Sequence, residues 1–244
     1  WAPENIMDIA FAGLQLDAMR NKTIPMDAAF IACYITAGKK RVNDFISANK
    51  LIKAEQECKI SISMLDGLTD EINFFKEKDA AISSSAYKKQ SEAQQNLFAA
   101  EQNLKAQYQQ QFQQGDINYW TKTINDLQIK SKAATPESAM YQRLLAYLSL
   151  AFYSISNQLI SSNQNEAAVY YVSLYKMADA TNSEAWYFSA LLNARNNNAK
   201  ATQEDLQKAV LLGFNDKARM EQQQEFQRMA SQIDFAKIES EMKE

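Results

Sequence analysis

Ser149–Asn182 reads SLAFYSISNQLISSNQNEAAVYYVSLYKMADATN, and Ser183–Asp216 reads SEAWYFSALLNARNNNAKATQEDLQKAVLLGFND. Laid one over the other, they share a 34-residue register. Phe152 and Trp186 take the fourth position, Ser156 and Ala190 the eighth, Ala168 and Thr202 the twentieth, and Val172 and Leu206 the twenty-fourth. A large apolar residue followed by a small one, then small followed by apolar, is the pattern of two helices per repeat. The small side chains let paired helices approach and the large ones fill the space between them. Trp186 and Ala190 are therefore expected to be buried between paired helices.

The rest of the chain agrees with an all-α fold. Only 5 Gly and 3 Pro occur in 244 residues, and 46% of residues are hydrophobic. So few breakers argue against an all-β fold, which needs many turns. The helix content expected is above about 70%, twice the ordinary share. Asp116 is placed to cap a helix carrying Tyr119, Trp120, Ile124 and Leu127. Thr135-Pro136-Glu137 is a start signal for a helix running to about Ser161, and Asn165–Ala178, Ser183–Arg195 and Thr202–Leu212 follow. Thr202-Gln203-Glu204-Asp205 has the spacing of a capping box.

Residues 1 to about 40 read as two short helices, with Pro3 and Pro25 at first helical positions and Gly38 as a stop. From 42 to 114, apolar residues recur at alternating three and four spacing, from Leu51, Ala54 and Cys58 to Tyr108 and Phe112. That is a coiled-coil-like seam, read as a long hairpin with its turn near Lys78–Ser85. Asp66-Gly67 is a second possible break. Two regions result: 1–114, with the hairpin, and 115–244, with the repeats 149–182 and 183–216 and a C-terminal cap.

This register resembles the tetratricopeptide repeat family. The resemblance implies a short helical solenoid with a concave, protein-binding surface. The family's groove-facing positions carry over to Leu150, Tyr153, Asn157, Ile160 and Ser161, then Glu184, Tyr187, Leu191, Ala194 and Arg195. Of these, Tyr153, Asn157, Tyr187, Leu191 and Arg195 form the candidate partner-binding set, because aromatic residues and Arg dominate binding hot spots. Filling of the groove from within, by the hairpin or by helix 137–161, is the competing reading. The closing Gly213-Phe214-Asn215-Asp216 resembles that of bacterial envelope-associated members, often lipoproteins. It implies short capping helices and a place in the cell envelope or outside the cell, with the cytoplasm as the alternative. The start at Trp1 reads as a fragment or a processed product.

Chemistry is constrained by absence. There is no His, which removes Ser-His-Asp and Cys-His nucleophiles and His-based metal sites. No Gly-rich phosphate loop can be formed. Cys33 and Cys58 read as two buried thiols, their pairing left open. No catalytic, cofactor-binding or metal residues are expected. The net charge is -3, without the basic face that nucleic acid requires. The longest apolar run, Leu144–Ile155, is about half the ~20 residues of a membrane-spanning helix. The expected function is a non-enzymatic protein- or peptide-binding scaffold. A structural oligomer built on 42–114 is the first alternative. The second is an enzyme using carboxylates alone, for which Asp66 and Asp70, one helical turn apart and flanking Gly67, are an example.

Overall fold

The computed structural model describes residues 4–82 and 85–242, with side chains from Met7 onward. It is all-α, 78% helical, with no strand among the described residues. The chain forms two compact units, Trp1–Asn96 and Leu97–Glu244.

The first unit holds α1 (Glu4–Arg20), α2 (Ala28–Ser47), α3 (Leu51–Leu65), α4 (Ile72–Ile82) and the start of α5 (Ser85–Gln111). Asp27 opens α2 by accepting the Phe30 N–H, so Pro25 lies in the preceding loop instead of at a helix start. Leu16, Ile35, Val42, Cys58, Leu65 and Phe75 form the centre of its core. Gly38 does not stop α2. A Cβ there would stand 3.1 Å from the Phe75 ring and 3.1 Å from Ser61 Oγ, so the residue is small because two helices pass close to it. Helix α2 ends nine residues later, where Asn49 adopts φ 53° and Lys50 N–H reaches back to the Phe45 carbonyl at 2.8 Å. That left-handed stop is open to Asn because its short side chain tolerates the conformation.

The hairpin expected over 42–114 is broken. The stop at Asn49 cuts 42–48 off from the seam, and the seam itself breaks after Leu65, at the expected second break, where Gly67 takes φ 74°. It becomes α3 and α4, of 15 and 11 residues, followed by α5. The apolar positions themselves hold as far as Ile82: Ala54, Cys58, Leu65, Ile72, Phe75 and Ile82 are all buried. Ser83 and Ser84 in the expected turn, and Pro3, lie outside the described residues.

The second unit completes α5 and adds α6 (Ile117–Ser131), α7 (Ser138–Ser161), α8 (Asn165–Ala178), α9 (Ser183–Arg195) and α10 (Ala199–Leu211). Three short helices close it: α11 (Lys217–Gln222), α12 (Gln224–Gln227) and α13 (Phe235–Ser240). Asp116 caps α6 through the Tyr119 N–H at 2.8 Å, and Trp120, Ile124 and Leu127 of that helix are buried. Helices pack as consecutive pairs, α6 with α7, α7 with α8, α8 with α9 and α9 with α10. Helix α7, with 24 residues, is by length and composition alone long and apolar enough to cross a membrane. Its Leu144, Leu148 and Phe152 are fully buried in this unit's core.

Of the aligned positions, Phe152, Ser156, Ala168, Val172, Ala190, Thr202 and Leu206 are buried. Trp186 is the exception. It is half-buried, donating Nε1 to the Ala180 carbonyl at 3.0 Å, with the Lys176 ammonium 3.9 Å from its ring centroid. The capping box expected at Thr202 is also displaced. Asn198 caps α10 by accepting the Ala201 N–H, Thr202 lies inside the helix, and Asp205 is drawn into a network described below.

Two ion pairs tie the unit together. Glu101 is 3% exposed. It accepts Arg143 Nε at 2.9 Å and Nη2 at 2.6 Å, and Lys105 Nζ at 2.7 Å. Those contacts, Arg143 first, hold its carboxyl below the usual 4.5. A carboxyl lowered by folding takes up protons on unfolding, so its contribution is present above the ordinary carboxylate range and lost as pH falls through the folded pKa. Glu101→Gln is expected to be less stable than the parent at pH 7 and to approach it near pH 3, in urea melts read across that range. A gap that does not change with pH would show that the charge is immaterial there.

Candidate functional site

The closing helices decide which part of the repeat surface is open. Gly213, at φ 102°, ends α10, with its N–H on the Val210 carbonyl at 2.9 Å and the Phe214 N–H on the Ala209 carbonyl at 3.0 Å. This turn lays the Phe214 ring on Tyr187, with centroids 4.6 Å apart and planes 15° from parallel. Phe226 of α12 meets the same tyrosine edge-on at 5.7 Å. The Arg219 guanidinium stands 4.2 Å from the Tyr187 centroid and donates to both Glu184 oxygens, at 2.8 and 2.9 Å. Tyr187 is left 1% exposed, and burial pushes its hydroxyl up to about 12.

The candidate partner set is thereby divided. Tyr187 and Leu191 are buried, so neither offers a surface. Arg195 is a clamp. It donates Nε to Glu225 Oε1 at 2.9 Å and Nη1 to the Ile160 carbonyl at 2.9 Å and to Asn165 Oδ1 at 2.8 Å. Of the positions carried over as groove-facing on α9, Tyr187 is roofed by the cap and Arg195 is tied to it, which spacing along α9 does not reveal. Asn157 is exposed. Tyr153 is half-buried, its ring stacked on Phe188 at 5.5 Å and 11°.

What remains open is a cleft of about 350 Å³ lined by Ala146, Ser149, Leu150 and Tyr153 of α7, Tyr175 and Asp179 at the end of α8, and Asn182 and Glu184 at the start of α9. Leu150 is 64% exposed. Tyr153 and Tyr175 meet edge to face at 6.0 Å. Burial raises the Tyr175 hydroxyl pKa, and the Glu184 and Asp179 charges raise it further. Asp179 accepts the Thr181 N–H and hydroxyl, at 3.2 and 2.8 Å. Among the described residues no Lys or Arg pairs with it. The sequence pointed to Tyr153, Leu150 and Glu184 as groove-facing. Tyr175 was missed, although its signal was present: it stands at the twenty-seventh position, where the second stretch has Ala209. Asp179 and Asn182, in the connection between helices, carried no local signal.

A second polar cluster joins Lys176, Ser189, Asn193 and Asp205. Lys176 Nζ lies 2.9 Å from Ser189 Oγ and 3.1 Å from Asp205 Oδ1. Ser189 donates its proton to Asp205 Oδ2 at 2.5 Å, and Asn193 donates to the same oxygen at 2.8 Å. The Asp205 carboxylate that accepts the serine proton is itself held by Lys176 and Asn193, and the cluster ties α8, α9 and α10 together. Among the described residues, no three His, Cys, Asp or Glu side chains gather as a metal site. Both cysteines are free. Cys33 is exposed, contrary to the expected burial, because it faces away from the core formed by Ile31, Tyr34 and Ile35, while Cys58 is buried. Burial pushes the Cys58 thiol up to about 11, away from reactivity.

The chain is thus an all-α protein of packed helix pairs, and its second unit carries an open cleft lined by aromatic and acidic residues. Comparison with protein-family models, with curated proteins and with solved structures finds no match to it.

Proposed function

We propose that this protein is a non-enzymatic binding scaffold of the tetratricopeptide-like kind, which receives a segment of a partner protein in the cleft between α7 and the α8–α9 connection. The observation that carries the reading is the contrast along the repeat surface. The cap roofs Tyr187, yet the neighbouring stretch leaves Leu150 64% exposed beside Tyr153. An exposed large apolar residue next to an aromatic-lined cleft is the composition of a docking site. The burial of seven of the eight aligned positions supports the repeat register.

Leu150→Asp tests this directly. Leu150 has little packing to lose, so the variant is expected to melt within about 2 °C of the parent, since surface changes stay near ±0.5 kcal/mol. Peptides selected from a displayed random dodecamer library on the full chain are expected to bind it at least about tenfold more weakly, as loss of an apolar anchor implies. Selected peptides that bind the variant unchanged would move the partner face elsewhere.

The oligomer alternative draws on Phe98 of α5, 61% exposed; a mass that rises with concentration and falls to that of one chain on Phe98→Glu would favour it. Placement in the cell envelope rests on the closing-segment resemblance, and cell fractionation tests it.

A further inference from the structure

The second unit twice builds the same arrangement, a cation held between an aromatic ring and a carboxylate. Lys176 lies 3.9 Å from the Trp186 centroid and 3.1 Å from Asp205. Arg219 lies 4.2 Å from the Tyr187 centroid and 2.8 Å from Glu184. In each, the ring's negative face and the carboxylate attract one positive group together. The cleft supplies the same two elements a third time: the half-buried ring of Tyr153, backed by the buried Tyr175, and the carboxylate of Asp179. Among the described residues no cation of this chain stands over either ring or pairs with Asp179.

We propose that the cleft takes a lysine or arginine side chain presented by the partner polypeptide. This rests on the docking reading given above and adds the chemistry of the group that enters. The aliphatic stem of such a side chain suits Ala146 and Leu150, and its charged head suits Asp179 and the Tyr153 ring. The carbonyl oxygen of the Asn182 side chain is already engaged, accepting the Glu184 N–H at 3.1 Å. Glu184 is already paired with Arg219. Asp179 therefore carries the recognition, and Glu184 contributes negative potential from the rim. An acidic or phosphorylated segment would meet two carboxylates there and be repelled. The cap and the Arg195 clamp close the equivalent position one stretch further on, so a single basic residue is read.

The test uses the dodecamers selected on the full chain and the variant Asp179→Asn. Asparagine keeps the shape and the acceptor oxygen that holds Thr181, and a thermal melt checks that the fold is intact. Selected peptides are expected to share one Lys or Arg beside an apolar residue. Replacing that residue by glutamine, or using Asp179→Asn, is expected to weaken binding at least about tenfold, and raising NaCl from 20 to 300 mM should weaken parent binding. Enrichment of neutral or acidic peptides, or basic peptides that bind Asp179→Asn unchanged, overturns the cationic assignment. If those peptides are still lost on Leu150→Asp, peptide docking itself stands. No enrichment at all overturns both.

Discussion

Replacing Arg195 with alanine is expected to lower stability by about 3–5 kcal/mol, the range for removing one partner of a buried ion pair. Its side chain is 14% exposed and that of Glu225 is 12% exposed. Three elements meet on the guanidinium: the end of α7 through the Ile160 carbonyl, the start of α8 through Asn165, and the cap through Glu225. Alanine leaves the Glu225 carboxylate in a place whose burial already opposes its charge, with Gln223 and Arg195 the side chains that offset this. The loss should therefore shrink when the charge is removed too, so Arg195→Ala with Glu225→Gln is expected to be more stable than Arg195→Ala alone. Urea unfolding followed by circular dichroism gives all three values. A loss below about 1 kcal/mol, the scale of an exposed pair, would return Arg195 to the surface and reopen it as a binding residue.

Legibility in the sequence followed the range of the interactions. Helices whose ends are set by neighbouring residues were readable: α8 and α9 lie at the expected bounds, Asp116 caps α6, and Gly213 ends α10. The first unit was less readable because scarcity of Gly was taken as scarcity of helix stops. The chain uses other residues there. Lys22 and Asn49 adopt positive φ in the first unit, at 58° and 53°, as Asn163 and Asn197 do in the second, at 57° and 55°. At Asn197, for example, the Asn198 N–H closes on the Asn193 carbonyl at 2.9 Å, the same closure that Gly213 makes for α10. Asp205 illustrates the opposite limit. Its spacing from Thr202 fits a capping box, but its partners are Lys176, 29 residues away, and Ser189 and Asn193. The open cleft was half legible. The groove positions on α7 were those the family resemblance implied, and which of them stay uncovered depends on where the C-terminal cap folds back.

The register itself is tested by setting Phe152 against Trp186, which share its fourth position. Phe152 is fully buried among Trp120 at 5.2 Å, Phe112 at 5.8 Å and Tyr171 at 6.4 Å. Four aromatic rings pack there without room for collapse, so Phe152→Ala is expected to cost about 3–5 kcal/mol. In a unit of this size that lowers the melting temperature by roughly 6–20 °C. Trp186 is larger, but its ring lies under the Lys176 ammonium and is only partly buried. Trp186→Ala forfeits that cation contact, the bond to Ala180 and part of its apolar burial, about 1–2 kcal/mol in all. The smaller residue should therefore be the more damaging one to remove. Melts of the two variants beside the parent decide it. If Trp186→Ala proves the worse, α9 is turned so that its tryptophan packs inward, and the cap cannot then cover Tyr187.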